Sequence, residues 1–129
     1  MQVFEKTINA KSEDLDELDH VNNVRYLQWV QDIAKAHWEQ NVTPEILKNF
    51  FWVVVSHFIE YKGSALLNDE LILKTYVAKS EGFKSTRIVE MYRKSDNRLL
   101  VKAETVWCLM SMETKRPTRI TPEIANLFN

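Results

Sequence analysis

Between Asn23 and Glu39 the polar residues Arg25, Gln28, Asp32, Lys35 and Glu39 recur every three or four positions, and Tyr26, Leu27, Trp29, Val30, Ile33, Ala34, Ala36 and Trp38 fill the intervals. That period predicts a helix with one narrow wet stripe, with His37 on its surface. A helix apolar around most of its circumference has to be enclosed by other structure, and the rest of the chain offers strands for the purpose. Met1 to Ile8 alternates, with Val3, Phe4 and Ile8 on its apolar side, and predicts a first strand. Phe51 to Tyr61, Glu70 to Lys79, Phe83 to Lys94 and Leu99 to Met112, rich in Val, Ile, Thr, Tyr and Phe, predict four more. Ser80-Glu81-Gly82 and Ser95-Asp96-Asn97 supply two short hairpin turns, so the last three strands form an antiparallel meander. Thr43-Pro44-Glu45 and Thr121-Pro122-Glu123 each set a cap before a proline, predicting short helices that end near Asn49 and Phe128.

The order of elements gives an α+β domain, an antiparallel five-stranded sheet around one buried helix, with residues 1–129 as one unit. In the second strand both alternate sets are apolar: Trp52, Val54 and Phe58 in one, Val53, Val55, Ile59 and Tyr61 in the other. One set covers the helix and the other needs a second partner, for which a homodimer or homotetramer interface is the simplest source.

Composition narrows the function classes. With 17 basic and 18 acidic residues among 129, the global charge gives no sign of a nucleic-acid or membrane-surface partner. The lone Cys108 cannot form an internal disulfide, and the first ten residues lack the apolar run of a signal peptide, so a cytoplasmic location is expected. Stretches such as Phe50 to Val55 fall far short of a membrane span. Only two glycines occur, in no phosphate-binding pattern, and no His or carboxylate spacing suits a metal, so neither cofactor nor metal is expected.

Glu13, Asp14, Asp16, Glu17 and Asp19 crowd the loop before the long helix, followed by His20, Val21, Asn22 and Asn23. Composition alone makes this a solvated acidic loop with an asparagine cap. The other reading is a site, because amides at a helix start polarise an anionic oxygen and a nearby carboxylate attacks or activates water. The run Asp14-Leu15-Asp16, then His20-Val21-Asn22-Asn23 and Tyr26, resembles the signature of hotdog-fold acyl thioesterases of the 4-hydroxybenzoyl-CoA and plant acyl-carrier-protein types. The resemblance extends more loosely through Ile59-Glu60-Tyr61, Asp69-Glu70 and Arg116-Pro117. It implies the hotdog fold and hydrolysis of an acyl-CoA or acyl-carrier-protein thioester at a subunit boundary. By the same resemblance Asp16 is the catalytic carboxylate, the amide of Asn23 the oxyanion donor, and His20 a neighbour of the carboxylate. Asn22 and Tyr26 are then expected beside the substrate.

Two residues depart from that pattern: Leu18 stands where the plant type has asparagine, and Asp19 where many relatives have a small or amide residue. Asp19 is either a second carboxylate that couples to Asp16 or a solvent-facing acid. Glu60 either lines the cleft or is a surface acid at a strand end. Lys115, Arg116 and Arg119, with Lys62 nearby, are the basic cluster best suited to coenzyme A phosphates, the alternative being a solvated tail. Trp29, Trp38 and Trp52 wall an acyl pocket or are plain core. His57 and Cys108, mid-strand, suit packing. Two other functions stay open: a hotdog dehydratase or hydratase, although its His-Phe-Pro-Gly pattern is absent, and a non-catalytic acyl-CoA-binding module.

Overall fold

The computed structural model describes residues 1–129. Strand β1 (Phe4–Asn9) leads through a loop to helix α1 (Asn23–Asn41) and the short helix α2 (Pro44–Asn49). Strands β2 (Phe50–Tyr61), β3 (Glu70–Glu81), β4 (Lys84–Arg93) and β5 (Arg98–Ser111) follow, and helix α3 (Pro122–Ala125) precedes a closing 3-10 turn, Asn126–Phe128. One antiparallel sheet holds all five strands in the order β1-β3-β4-β5-β2. Both threonine caps form as expected, Thr43 accepting from the Ile46 amide and Thr121 from that of Ile124. The turn between β3 and β4 is tighter than the sequence suggests. Glu81 pairs with Lys84, leaving Gly82 and Phe83 as the loop, and Gly82 takes the left-handed φ of 63° that a two-residue hairpin requires.

Helix α1 lies against one face of this sheet. Tyr26, Val30 and Ile33 pack with Leu71 and Leu73 of β3, Val89 and Met91 of β4, and Val101 and Ala103 of β5. Ala34, His37 and Trp38 extend the buried stripe, so the spacing read from sequence is the spacing that packs. The wet side is wider than expected, however: Val24, Gln31 and Gln40 are exposed along with Gln28, Asp32, Lys35 and Glu39, while Arg25 is half-buried. His37 is a correction too. It is fully buried, its Nε2 lies 2.6 Å from Gln2 Oε1, and its ring stacks on Phe4.

Strand β2 resolves its two apolar sets in a way alternation alone cannot show. Its register on β5 slips between Val54 and Ser56, a bulge that exchanges the faces of the residues on either side. Before the slip Trp52 meets Trp38 of α1; after it, Ile59 joins the core and Tyr61 approaches Tyr26. Each set thus supplies half of the inner face. Val53, Val55 and Phe58 remain exposed on a strand whose far edge is unpaired.

The opposite face of the sheet carries a row of charged residues. Glu5, Lys74, Glu90, Lys102 and Glu60 stand side by side across all five strands, with alternating charge at every step. Each exposed pair contributes little stability, but the row favours this register and discourages burial of that face. No helix is long and apolar enough to cross a membrane.

Burial lowers the pKa of His37 from 6.5 to about 4, with the Arg87 guanidinium adding to the effect. The folded chain therefore refuses a proton that the unfolded chain takes near pH 6.5. Stability is complete above that pH and is lost as the pH falls towards 4, by about 2 kcal/mol at pH 5 from this group alone. Urea midpoints at pH 7 and pH 5 check this. The pH-dependent loss is expected to be smaller in His37→Gln than in the wild type.

Candidate active site

The loop before α1 is built as a small clasp. Leu15 and Val21 form an antiparallel bridge, and His20 bridges Leu66 on the segment leading into β3. Inside the clasp the Asp16 amide donates to the His20 carbonyl (2.7 Å), and the Asp16 Oδ1 accepts from the amides of Leu18 (2.9 Å) and His20 (3.2 Å). An aspartate two residues before an amide it can reach is the usual start of such a turn. Oδ1 is thereby fixed, while Oδ2 makes no hydrogen bond within the chain and the residue is half-buried.

Asp19 sits at the crest with a left-handed φ of 62° and is exposed. That conformation explains a residue with a short polar side chain there, since such residues tolerate it best. Of the two readings of Asp19, the solvent-facing one fits its exposure.

The helix begins immediately beyond. Asn22 is its cap, its Oδ1 accepting from the Val24 amide at 2.8 Å, and Asn23 is the first helical residue. The Asn23 amide therefore has no intrahelical acceptor and lies at the positive end of the helix dipole. Asp14, three residues from the Lys11 amide it accepts from, also meets Arg25 Nε at 3.0 Å, with only 9% of its side chain exposed. This ion pair bolts the loop to the first turn of α1. Sequence reading missed it, although an acid followed by an arginine one turn into a predicted helix was a usable signal.

The other expected site residues are dispersed. Tyr26 is 1% exposed, its hydroxyl accepting from the Ala65 amide at 2.9 Å; burial raises its pKa. Within one chain it supports the site from beneath and offers no free surface. The imidazole of His20 is exposed, and it is the backbone of His20 that binds Asp16. Glu60 belongs to the charged row on the sheet face turned away from α1 and pairs with Lys62 at 3.8 Å.

The basic cluster needs the largest correction. Lys115 lies over the Phe51 ring (5.5 Å), at the start of β2, whereas Lys62 follows the end of the same strand, roughly 30 Å away. The segment after β5 then crosses towards the β3–β4 turn, where Ile120 donates to Gly82, so Arg119 stands beside Ser80 and Glu81 and apart from Lys115. Arg116 is exposed between them. All three lie at the end of the sheet remote from Asp16 of the same chain.

Trp38 and Trp52 line a groove of about 570 Å³ between α1 and β2, while Trp29 packs edge-on against Tyr26. His57 lies 2.8 Å from Thr105 Oγ1, and Cys108 is buried.

The model of the acyl-ACP thioesterase N-terminal domain matches residues 1–128. The chain belongs to this thioesterase family. Thioester hydrolysis is accordingly its general chemistry. No curated protein sequence matches it. Among solved structures it is similar to YbaW, a probable thioesterase from Escherichia coli, with 20% identity over 95% of this chain and 94% of that one and a TM-score of 0.87. A 4-hydroxybenzoyl-CoA thioesterase variant solved with 4-hydroxybenzoyl-CoA is 11% identical over the whole of both chains, with a TM-score of 0.90. The 12:0-ACP thioesterase of Umbellularia californica is 17% identical over 98% of this chain, which spans 51% of that one, with a TM-score of 0.85. These likenesses establish the hotdog fold.

The geometry separates the two acids of the motif by role. Asp14→Ala removes a charge-assisted contact and leaves the Lys11 amide without its acceptor, and is expected to cost about 1–3 kcal/mol. Asp16→Asn keeps an oxygen for the Leu18 and His20 amides and is expected to leave stability nearly unchanged. Urea denaturation of the two variants checks the contrast.

Proposed function

We propose that this thioesterase hydrolyses acyl-CoA or acyl-carrier-protein thioesters at the junction of the Asp16 loop and the first turn of α1. The observation that carries the reading is the divided role of the Asp16 carboxylate: Oδ1 is held by two backbone amides and Oδ2 is left without a partner beside a helix start. The substrate carbonyl accepts from the Asn23 amide, where the helix dipole favours the negative charge that develops on oxygen. Oδ2 takes a proton from water as its oxygen bonds to the carbonyl carbon. The tetrahedral adduct then collapses, the C–S bond breaks, and the proton passes from Asp16 to the departing thiolate. Direct attack by Oδ2, followed by hydrolysis of the anhydride, uses the same two groups. Asn22 shapes this helix start, and His20 fixes the carboxylate through its amide.

We also propose a homodimer. A twelve-residue edge strand carrying exposed Val53, Val55 and Phe58 is a template for pairing with a second copy. Twofold pairing of β2 with β2 is antiparallel and sets the Phe51 end of one copy beside the Tyr61 end of the other. It would bring the Lys115 of one copy towards the Asp16 loop of its neighbour, a role the remote position of Lys115 denies it within one chain. Leu18, Val24, Leu66 and Leu67, all exposed around the loop, are apolar surface for the partner or for a phosphopantetheine arm to cover. The single buried thiol of Cys108 suits a reducing cytoplasm.

Asp16→Asn is expected to lower kcat by roughly a hundred- to ten-thousand-fold while acyl-CoA binding persists. Thiol release followed with a chromogenic reagent measures it, and a folded variant retaining more than about a third of wild-type kcat would move the role elsewhere. Phe58→Lys is expected to shift the sedimenting species towards 15.2 kDa and to lower activity with it. Joint replacement of Lys115, Arg116 and Arg119 by alanine is expected to raise KM for acyl-CoA and spare kcat, the mark of lost uniform binding.

A further inference from the structure

Arg87 is the one arginine that the fold buries without a carboxylate. It is 5% exposed on the inner face of β4, and none of the chain's ion pairs includes it. Its Nη1 donates to His37 Nδ1 (2.8 Å) and to Thr75 Oγ1 (3.1 Å), and its guanidinium carbon lies 5.2 Å from the centre of the Phe128 ring. With Nε2–H of His37 directed to Gln2 Oε1, Nδ1 is the acceptor and the imidazole is neutral. Nothing in this cluster cancels the guanidinium charge. Nε and Nη2 hydrogen-bond to no group of the chain.

A buried cation without a counter-ion is costly, because the desolvation penalty goes uncompensated. Burial lowers the pKa of Arg87 to about 10, so the charge is still present at neutral pH. Arg87 also lines the 570 Å³ groove, together with Trp38, Phe51, Trp52 and Trp107. Trp107 stands diagonally across from Arg87 on β5 and has a buried indole N–H with no acceptor. The groove therefore combines apolar aromatic walls with three donor atoms that have no acceptor in the chain, Nε and Nη2 of Arg87 and Nε1 of Trp107. The acids at its rim are already engaged: Asp32 accepts from Gln28, and Glu39 faces Lys35 at 4.0 Å.

We propose that this groove binds a free aliphatic carboxylate, its head on Arg87 and its chain against the tryptophans. Its volume falls within the range of small-ligand clefts, about 300–1,000 Å³. The cluster lies about 20 Å along α1 from the Asn23 amide, so this is a second locus, distinct from the place where the thioester carbonyl is polarised. The ligand has the chemistry of an acid released by thioester hydrolysis, yet its binding requires no turnover, and the inference stands or falls separately from the assignment of Asp16.

The test uses the intrinsic fluorescence of the groove tryptophans, titrated with dodecanoate and with dodecanol below their aggregation limits. In the wild type dodecanoate is expected to bind about 10- to 100-fold more tightly than dodecanol, the value of hydrogen bonds to a charged group. In Arg87→Gln, which retains donors for His37 and Thr75, the two ligands are expected to bind alike. Equal affinities in the wild type would overturn the proposal without recourse to any variant, as would a preference that survives in a folded Arg87→Gln protein. A preference for dodecanol in the wild type would make the groove a plain apolar pocket and would also overturn it.

Discussion

Burial of one stripe of α1 against the inner face of the sheet is the constraint from which the other features of the molecule follow. Tyr26, Val30 and Ile33 bring the helix onto β3, β4 and β5, and full burial of residues of this size contributes on the order of 1.5–3 kcal/mol each. Because nineteen residues of helix extend for about 28 Å, the packing also fixes two separate ends. At the first lie the Asn23 amide of the helix start and the Asp16 clasp, at the second the aromatic groove and Arg87. The Asp14–Arg25 pair and the Tyr26 hydroxyl, bonded to Ala65, tie the first end to the rest of the fold. The Asp16 loop is short and partly exposed, and it gains rigidity from such support.

The sheet distributes charge by face. The outer face carries a partly exposed row of alternating acids and bases, whose pairing near solvent costs little free energy. The inner face carries one cation, Arg87, without a compensating anion, and a histidine kept neutral beside it. Structural arginines in protein interiors normally find a carboxylate, and this one finds an imidazole, a hydroxyl and an aromatic ring. That difference is why the groove, which otherwise resembles ordinary core that has been left open, is assigned a ligand of definite charge.

Much of this was legible in the sequence, for physical reasons that act locally. Helix period, threonine-proline caps and hairpin turns depend on neighbours a few residues away, and all five strands and the long helix appear within a few residues of their expected limits. The acidic loop with its asparagine cap was legible for the same reason, as was its likeness to a thioesterase motif. What failed were inferences about face and distance. Alternation in β2 could not reveal the bulge after Val54, because one inserted residue exchanges every later side chain between faces. His37, expected on the helix surface, is buried because the N-terminal segment supplies Gln2 and Phe4, more than thirty residues earlier in the chain. Lys62 and Lys115 looked like one cluster, and only the length of β2 shows them to be at opposite ends of the sheet. Sequence by itself therefore determined the elements and the family, both of which are encoded in short-range pattern. Tertiary structure alone decided which oxygen of Asp16 is free, which acids share its neighbourhood and where an unpaired arginine meets a groove, because those depend on strand register and on contacts between residues far apart in the chain.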